Sequence, residues 1–344
     1  MLLITPKAAR GYSIIEFMIA ITVSLVILGG LTTLFVNNSR ARAEIERANV
    51  QVENGRYAID LLSNDLWNAG YLAEFDPRSL ATPAALPDPC ATALATLRTA
   101  LPLHIQGVDN AATTPTCVQD VRANTDILVI RRAATCVAGS ANCANTGPYF
   151  QTTLCNDELQ GPGPYFGLDT NTASLTLHQR KPAAQANGCG PIANLYRYIT
   201  NVYFVANNDN AGDGVPTLKR AQLGPNGFTV VPLVEGIENL QVEYGIDLPT
   251  TDGTADAFTA DPAGYPLTAG KTVVDNWRYV VAIKLHVLAR TTDTSPGYTD
   301  TKSYTLGLNA NGTSYVAGPF NDSYKRHAYE SLVRLNNPAG RNLP

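Results

Sequence analysis

The chain of 344 residues is long enough for one to three domains, and with 45% apolar residues it can bury a sizeable core. Its 25 basic and 29 acidic side chains leave a formal net charge of −4, which excludes the strongly basic surface of a general nucleic-acid binder. The pairs Arg131-Arg132 and Lys325-Arg326 read as charges at strand ends rather than as phosphate contacts.

The rest of the chain is organised around its N-terminal stretch. A leader carrying Lys7 and Arg10 runs into Gly11-Tyr-Ser-Ile-Ile-Glu16, and from Phe17 to Arg40 no charge occurs. About 20 apolar residues at 1.5 Å rise cover the roughly 30 Å hydrocarbon core, so Phe17 to Val36 reads as a membrane-inserted helix. A secretory signal peptide would have an apolar core of about 7–15 residues ending in a small-residue cleavage site. A plain signal anchor gives no reason for Glu16, since a carboxylate at the centre of such a helix costs ~2.5–3.5 kcal/mol and needs a cationic partner.

Beyond Arg40 the pattern turns amphipathic. Ala41, Ile45, Ala48, Val52, Gly55, Ile59, Leu62, Leu66 and Ala69 form one apolar stripe. One continuous helix from about Ser13 to about Asn68 is expected, with its second half packed on the protein's own sheet rather than in a coiled coil. Gly29 and Gly30 weaken the apolar half by about 1 kcal/mol each relative to Ala, as a stretching point or a close helix contact.

From Asp76 to about Pro115 the chain is rich in Pro, Ala and Thr without a period, and reads as loop. The six cysteines, Cys90, Cys117, Cys136, Cys143, Cys155 and Cys189, all fall in this loop-rich third. An even number beyond an export anchor, with no C-x-x-C pair, points to disulfides rather than to a metal site. Spacing does not choose the pairing; joining sequence neighbours is only the default.

Strands are expected at Asp126–Arg131, Ser174–His178, Leu195–Val205, Gly227–Val231, around Leu240–Ile246, around Val281–Ala289 and within Arg326–Asn336. In the fifth, Leu240, Val242, Tyr244 and Ile246 alternate with polar residues, as on a half-buried strand. The sixth repeats this and puts His286 on a polar, surface face. The polar loop Asn207–Gly214 fits a hairpin turn better than a calcium loop, because the EF-hand pattern fails at Ala211. Thr251–Pro262 reads as a solvated loop. The result is an α+β arrangement, a long N-terminal helix on an antiparallel sheet.

Catalytic signatures are missing: there is no G-x-S-x-G, phosphate-cradling glycine loop or H-E-x-x-H, and His104, His178, His286 and His327 are scattered. No enzyme activity, metal or cofactor is expected.

The leader ending in Gly11, with Glu16 and the apolar run, resembles the class III leader of type IV prepilins. Leu233–Gly245, Trp277–Arg290 and Tyr324–Asn336 are similar to stretches of the PilW family of minor pilins. The resemblance implies a pilin-like fold with long disulfide-bearing loops: a leader at 1–11, a transmembrane and assembly half-helix at 12–36, its amphipathic half at 37–70, and a headgroup at 71–344. The headgroup would divide into a loop-rich, cysteine-bearing part (71–190) and the main sheet (191–344). It implies peptidase cleavage between Gly11 and Tyr12, methylation of the Tyr12 amine, and pairing of Glu16 with a neighbouring subunit's N-terminal amine. The implied partners are minor and major pilins, the prepilin peptidase, the inner-membrane assembly platform and a PilY-type tip adhesin. The implied course runs from the inner membrane, with the headgroup in the periplasm, to a pilus that serves twitching motility. A J-like pseudopilin of type II secretion and a tip binding module for adhesion or DNA uptake are the alternatives.

Overall fold

A computed structural model describes residues 11–183, 185 and 187–342; the expected leader basic residues Lys7 and Arg10 lie outside them. Contacts divide the chain into two units, residues up to Asn49 and residues from Val50 on. Helix α1 (Ile14–Trp67) runs through both, so the expected single helix is present to within a residue at each end.

The second unit adds short helices α2 (Leu94–Ala100), α3 (Asn156–Leu159), α4 (Val273–Arg278) and α5 (Asn336–Asn342). Its strands are β1 (Ile105–Val108), β2 (Ile127–Val137), β3 (Tyr149–Thr152), β4 (Phe166–Asp169), β5 (Tyr196–Ala206), β6 (Thr217–Gly224) and β7 (Gly227–Glu235), then β8 (Ile237–Ile246), β9 (Ala257–Thr259), β10 (Val280–Arg290), β11 (Tyr304–Leu308), β12 (Ser314–Ala317) and β13 (Arg326–Arg334). The expected single sheet is three. Seven strands follow the order β1-β2-β5-β3-β4, with β6 against β5 and β7 beyond it. Four follow β13-β10-β8-β9, and β11-β12 is a separate hairpin. All the strand ladders are antiparallel.

One core joins α1 to both larger sheets. Ala58, Leu62 and Leu66 pack with Leu128, Ile130 and Tyr203 of the first sheet and with Leu240, Val242, Ile283, Leu285 and Val333 of the second. The buried line on α1 is Gln51, Gly55, Ala58, Leu62 and Leu66. The expected stripe therefore holds from Gly55 on, while Ile45 and Val52 are exposed. Gln51 takes the buried place before Gly55 because its amide nitrogen bonds the carbonyls of Ala289 (2.8 Å) and Lys325 (2.9 Å).

Several sequence expectations are corrected. The stretch 76–115 contains α2 and β1. Ser174–His178 is not a strand: the Gln151 side-chain amide bonds both Leu177 backbone groups, occupying the place of a neighbouring strand, and His178 makes one isolated bridge to Ile192. The 251–262 loop includes β9, and its turns are tied by carboxylates: Asp247 accepts from the Asp252 and Gly253 amides, and Asp261 from those of Ala263 and Gly264. The hairpin at 207–214 joins β5 to β6 as expected, and Asp213 there accepts the amides of Asp209, Asn210 and Val215.

Strand β8 is buried on both faces. Its polar face lies beneath the β11-β12 hairpin and the 109–124 segment: Asn239 bonds Tyr315, Gln241 bonds the Asn124 carbonyl, and Gly307 lies against Glu243 and His286. His286 is therefore not a surface residue. It is 6% exposed and lies 3.1 Å from Glu243.

Candidate functional site

The N-terminal unit presents its apolar side chains without cover. Every residue from Gly11 to Arg42 is exposed, Tyr12 at 91%, and the helix is apolar enough over this length to cross a membrane. The hydroxyls of Thr22, Thr32 and Thr33 donate to carbonyls one turn back, which removes their unpaired polar groups from the helix surface. Gly29 and Gly30 leave open space where a Cβ would stand.

Glu16 lies in the first turn of α1, and its Oε2 accepts the Ser13 N–H at 2.9 Å. Ser13 Oγ in turn accepts the Ile15 N–H at 3.3 Å. The spacing Ser13-x-x-Glu16 is that of a capping box, and the pair reproduces its Glu-to-cap half. A negative charge at a helix N-terminus is also favoured by the helix dipole. Glu16 thus has a use within its own helix besides any cationic partner, and the Ser-x-x-Glu spacing is the signal that carries it in the sequence.

In the second unit α1 meets the sheets through polar contacts as well as apolar ones. Asp65 is buried and accepts from Arg132 Nε (2.6 Å), Asn201 Nδ2 (2.7 Å) and Tyr203 OH (2.8 Å). Burial raises the Tyr203 hydroxyl's pKa, with the Asp65 charge adding. Arg131, expected as a strand-end charge, is buried within β2 on Gln106 (2.7 Å). Arg326, expected in the same role, is the centre of a buried ion cluster. It bonds Glu238, Asp300 (3.0 Å) and Asp322 (2.6 Å) and stacks on Phe320 at 3.7 Å, and Arg122 also reaches Glu238 at 3.0 Å. These charges crosslink β8, β13, the loops between them and the segment that precedes β2.

All six cysteines are bonded: Cys90–Cys117, Cys136–Cys143 and Cys155–Cys189, with Cα separations of 5.4, 6.1 and 5.2 Å. Sequence neighbours pair, which is the default. Glu158 and His178 lie close to Cys189, and Asp157 lies close to Cys155 and Cys189. Both sulfurs are in the disulfide, and the His178 ring instead meets Glu158 at 2.7 Å. The remaining histidines have comparable structural contacts: His104 Nε2 with the Val280 carbonyl (2.6 Å) and His327 edge-on to Tyr329.

The family model described as type IV pilus-assembly protein W, PilW, matches residues 202–337. Over these residues the chain is similar to the PilW family. The PilW region runs from within β5 to the start of α5 and contains the four-stranded sheet, the β11-β12 hairpin and the Arg326 ion cluster. It includes the three stretches on which the resemblance rested, and leaves out the Gly11–Glu16 segment and all six cysteines. No curated protein and no solved structure matches the chain. The match associates this region with type IV pilus assembly.

Proposed function

We propose that the protein is a minor pilin: made with a leader, cleaved between Gly11 and Tyr12, methylated on Tyr12, and held in the inner membrane with its headgroup in the periplasm. With other minor pilins it would initiate pilus assembly on the inner-membrane platform, pass major pilin into the fibre behind it, and remain at or near the tip, where a PilY-type adhesin would join it. The observation that carries this reading is the uncovered apolar segment Ile14–Val36 with Glu16 as its one charge. Such a helix leaves lipid at least cost into a bundle of similar helices, and Glu16 can accompany it if a neighbour's N-terminal amine replaces the Ser13 amide.

The test is Glu16→Ala in the native host. Loss of surface fibres and twitching, with the protein still in the membrane and type II secretion unaffected, is the expected result. Intact fibres with impaired secretion would instead assign the chain to a secretion pseudopilus. A tip-binding role has one specific support, since the three disulfides lie outside the matched PilW region. Deleting 80–190 would remove β1 to β4 from the seven-stranded sheet, so that role is better tested by replacing the short loop closed by Cys136–Cys143. Normal fibres without attachment or DNA uptake would support it.

A further inference from the structure

A cavity of about 370 Å³ opens in the second unit between the turn at 77–82, α4 and α5. Four cationic side chains line it, Arg78, Lys271, Arg278 and Arg341, against one lining carboxylate, Asp275. Asp76, which does not line the cavity, lies 2.8 Å from Arg78 and 4.0 Å from Arg341. Four cations and two carboxylates leave an excess of two positive charges.

Part of that excess is fixed in place. The Arg278 guanidinium is pinned by neutral acceptors, the carbonyls of Arg78 (2.8 Å), Leu80 (3.0 Å) and Pro77 (3.3 Å) and the Thr82 hydroxyl (3.0 Å). Among the described residues, neither Arg278 nor Lys271 has a carboxylate in ion-pair contact. Lys271 Nζ lies 2.9 Å from Tyr279 OH and above that ring, which leaves further N–H donors free. His104, on the same wall, is pushed down to about 4, chiefly by burial, with Arg341 and Arg278 adding to the effect. Burial also lowers the pKa of Arg341, and Arg78 adds to it. Burial penalises a charge of either sign, so what favours a negative ligand here is the excess of cationic side chains on the wall.

We propose that this cavity binds a small doubly charged oxyanion, a free phosphate or the phosphate of a monoester. Lys271 can donate directly to a tetrahedral oxyanion, while Arg278 and Arg78, whose terminal nitrogens are held by protein acceptors, contribute positive charge at fixed positions.

The test is calorimetric titration of the full chain in detergent with inorganic phosphate and with glycerol 1-phosphate, at constant ionic strength. Saturable one-to-one binding is expected, weakened about tenfold by Lys271→Gln and by Arg78→Gln, in line with the loss of one charge-assisted contact. The exposed Lys302→Gln should leave it unchanged, and circular dichroism identifies any variant that fails to fold. Equal affinity for the two ligands would point to a phosphate carried on a larger molecule; binding of inorganic phosphate alone would point to the free ion. No heat with either ligand, or affinity untouched by both rim variants, would overturn the proposal.

Discussion

Asp65 is a carboxylate removed from water at the helix–sheet boundary, and three donors on β2 and β5 satisfy it together. Asp65→Ala would leave the Arg132 guanidinium without its partner in a largely buried place, so a loss of about 3–5 kcal/mol in chemical unfolding is expected. Two other buried groups set a pH dependence. Asp126 accepts the amides of Asn110 and Val242 and is pushed up to about 8, chiefly by burial, with the Asp109 charge adding. The folded state therefore keeps a proton that the unfolded chain releases above its ordinary value of 3.8, and stability falls as pH rises toward 8. His104 acts in the opposite sense: held near 4 against an ordinary value of 6.5, it contributes stability above pH 6.5 that is lost as pH falls toward 4. The two oppose each other below 6.5. From 6.5 to 8 the slope of Asp126 remains, at most about 1.4 kcal/mol per pH unit. Unfolding of the wild type and Asp126→Asn across that range should show the decline only in the wild type. Sequence alone puts His286 at the surface, because alternation shows that a strand has two unlike faces but not that a hairpin covers the second.

Among the elements, α1 is the most legible in the sequence, because charge and apolar period mark its two halves directly. Its seat on the sheet is less so. Gly55 stands where a Cβ would lie 2.1 Å from the Tyr329 ring, whereas nothing lies within 4 Å of a Cβ at Gly29. Gly55→Val should therefore destabilise the second unit by about 1–3 kcal/mol through overpacking, and Gly29→Ala should leave that unit's unfolding unchanged; thermal melts of both check this. The disulfides close sequence separations of 27, 7 and 34. Removing Cys155–Cys189 as a double serine variant should cost about 3–4 kcal/mol, and removing Cys136–Cys143 about 2–3, since the shorter loop restrains the unfolded chain less. The cysteine-bearing third reads as loop because its strands are short and some ladder positions are filled by side chains such as Gln151.

At the scale of the whole molecule, composition and period point to one helix and one antiparallel sheet, and the protein has two larger sheets sharing a core with α1. The division is hidden because β7 and β8 read as ordinary neighbours while belonging to different sheets, separated at Gly236, whose φ is +74°. The matched PilW region and the N-terminal segment lie in different parts of the chain, and the proposed function joins them through one event, maturation of the helix. Mass spectrometry of the N-terminal peptide, from protein isolated from its own membranes, tests that event directly. The account predicts a peptide beginning at Tyr12 with one added methyl group; an intact leader, or a cut beyond Val36, would contradict it.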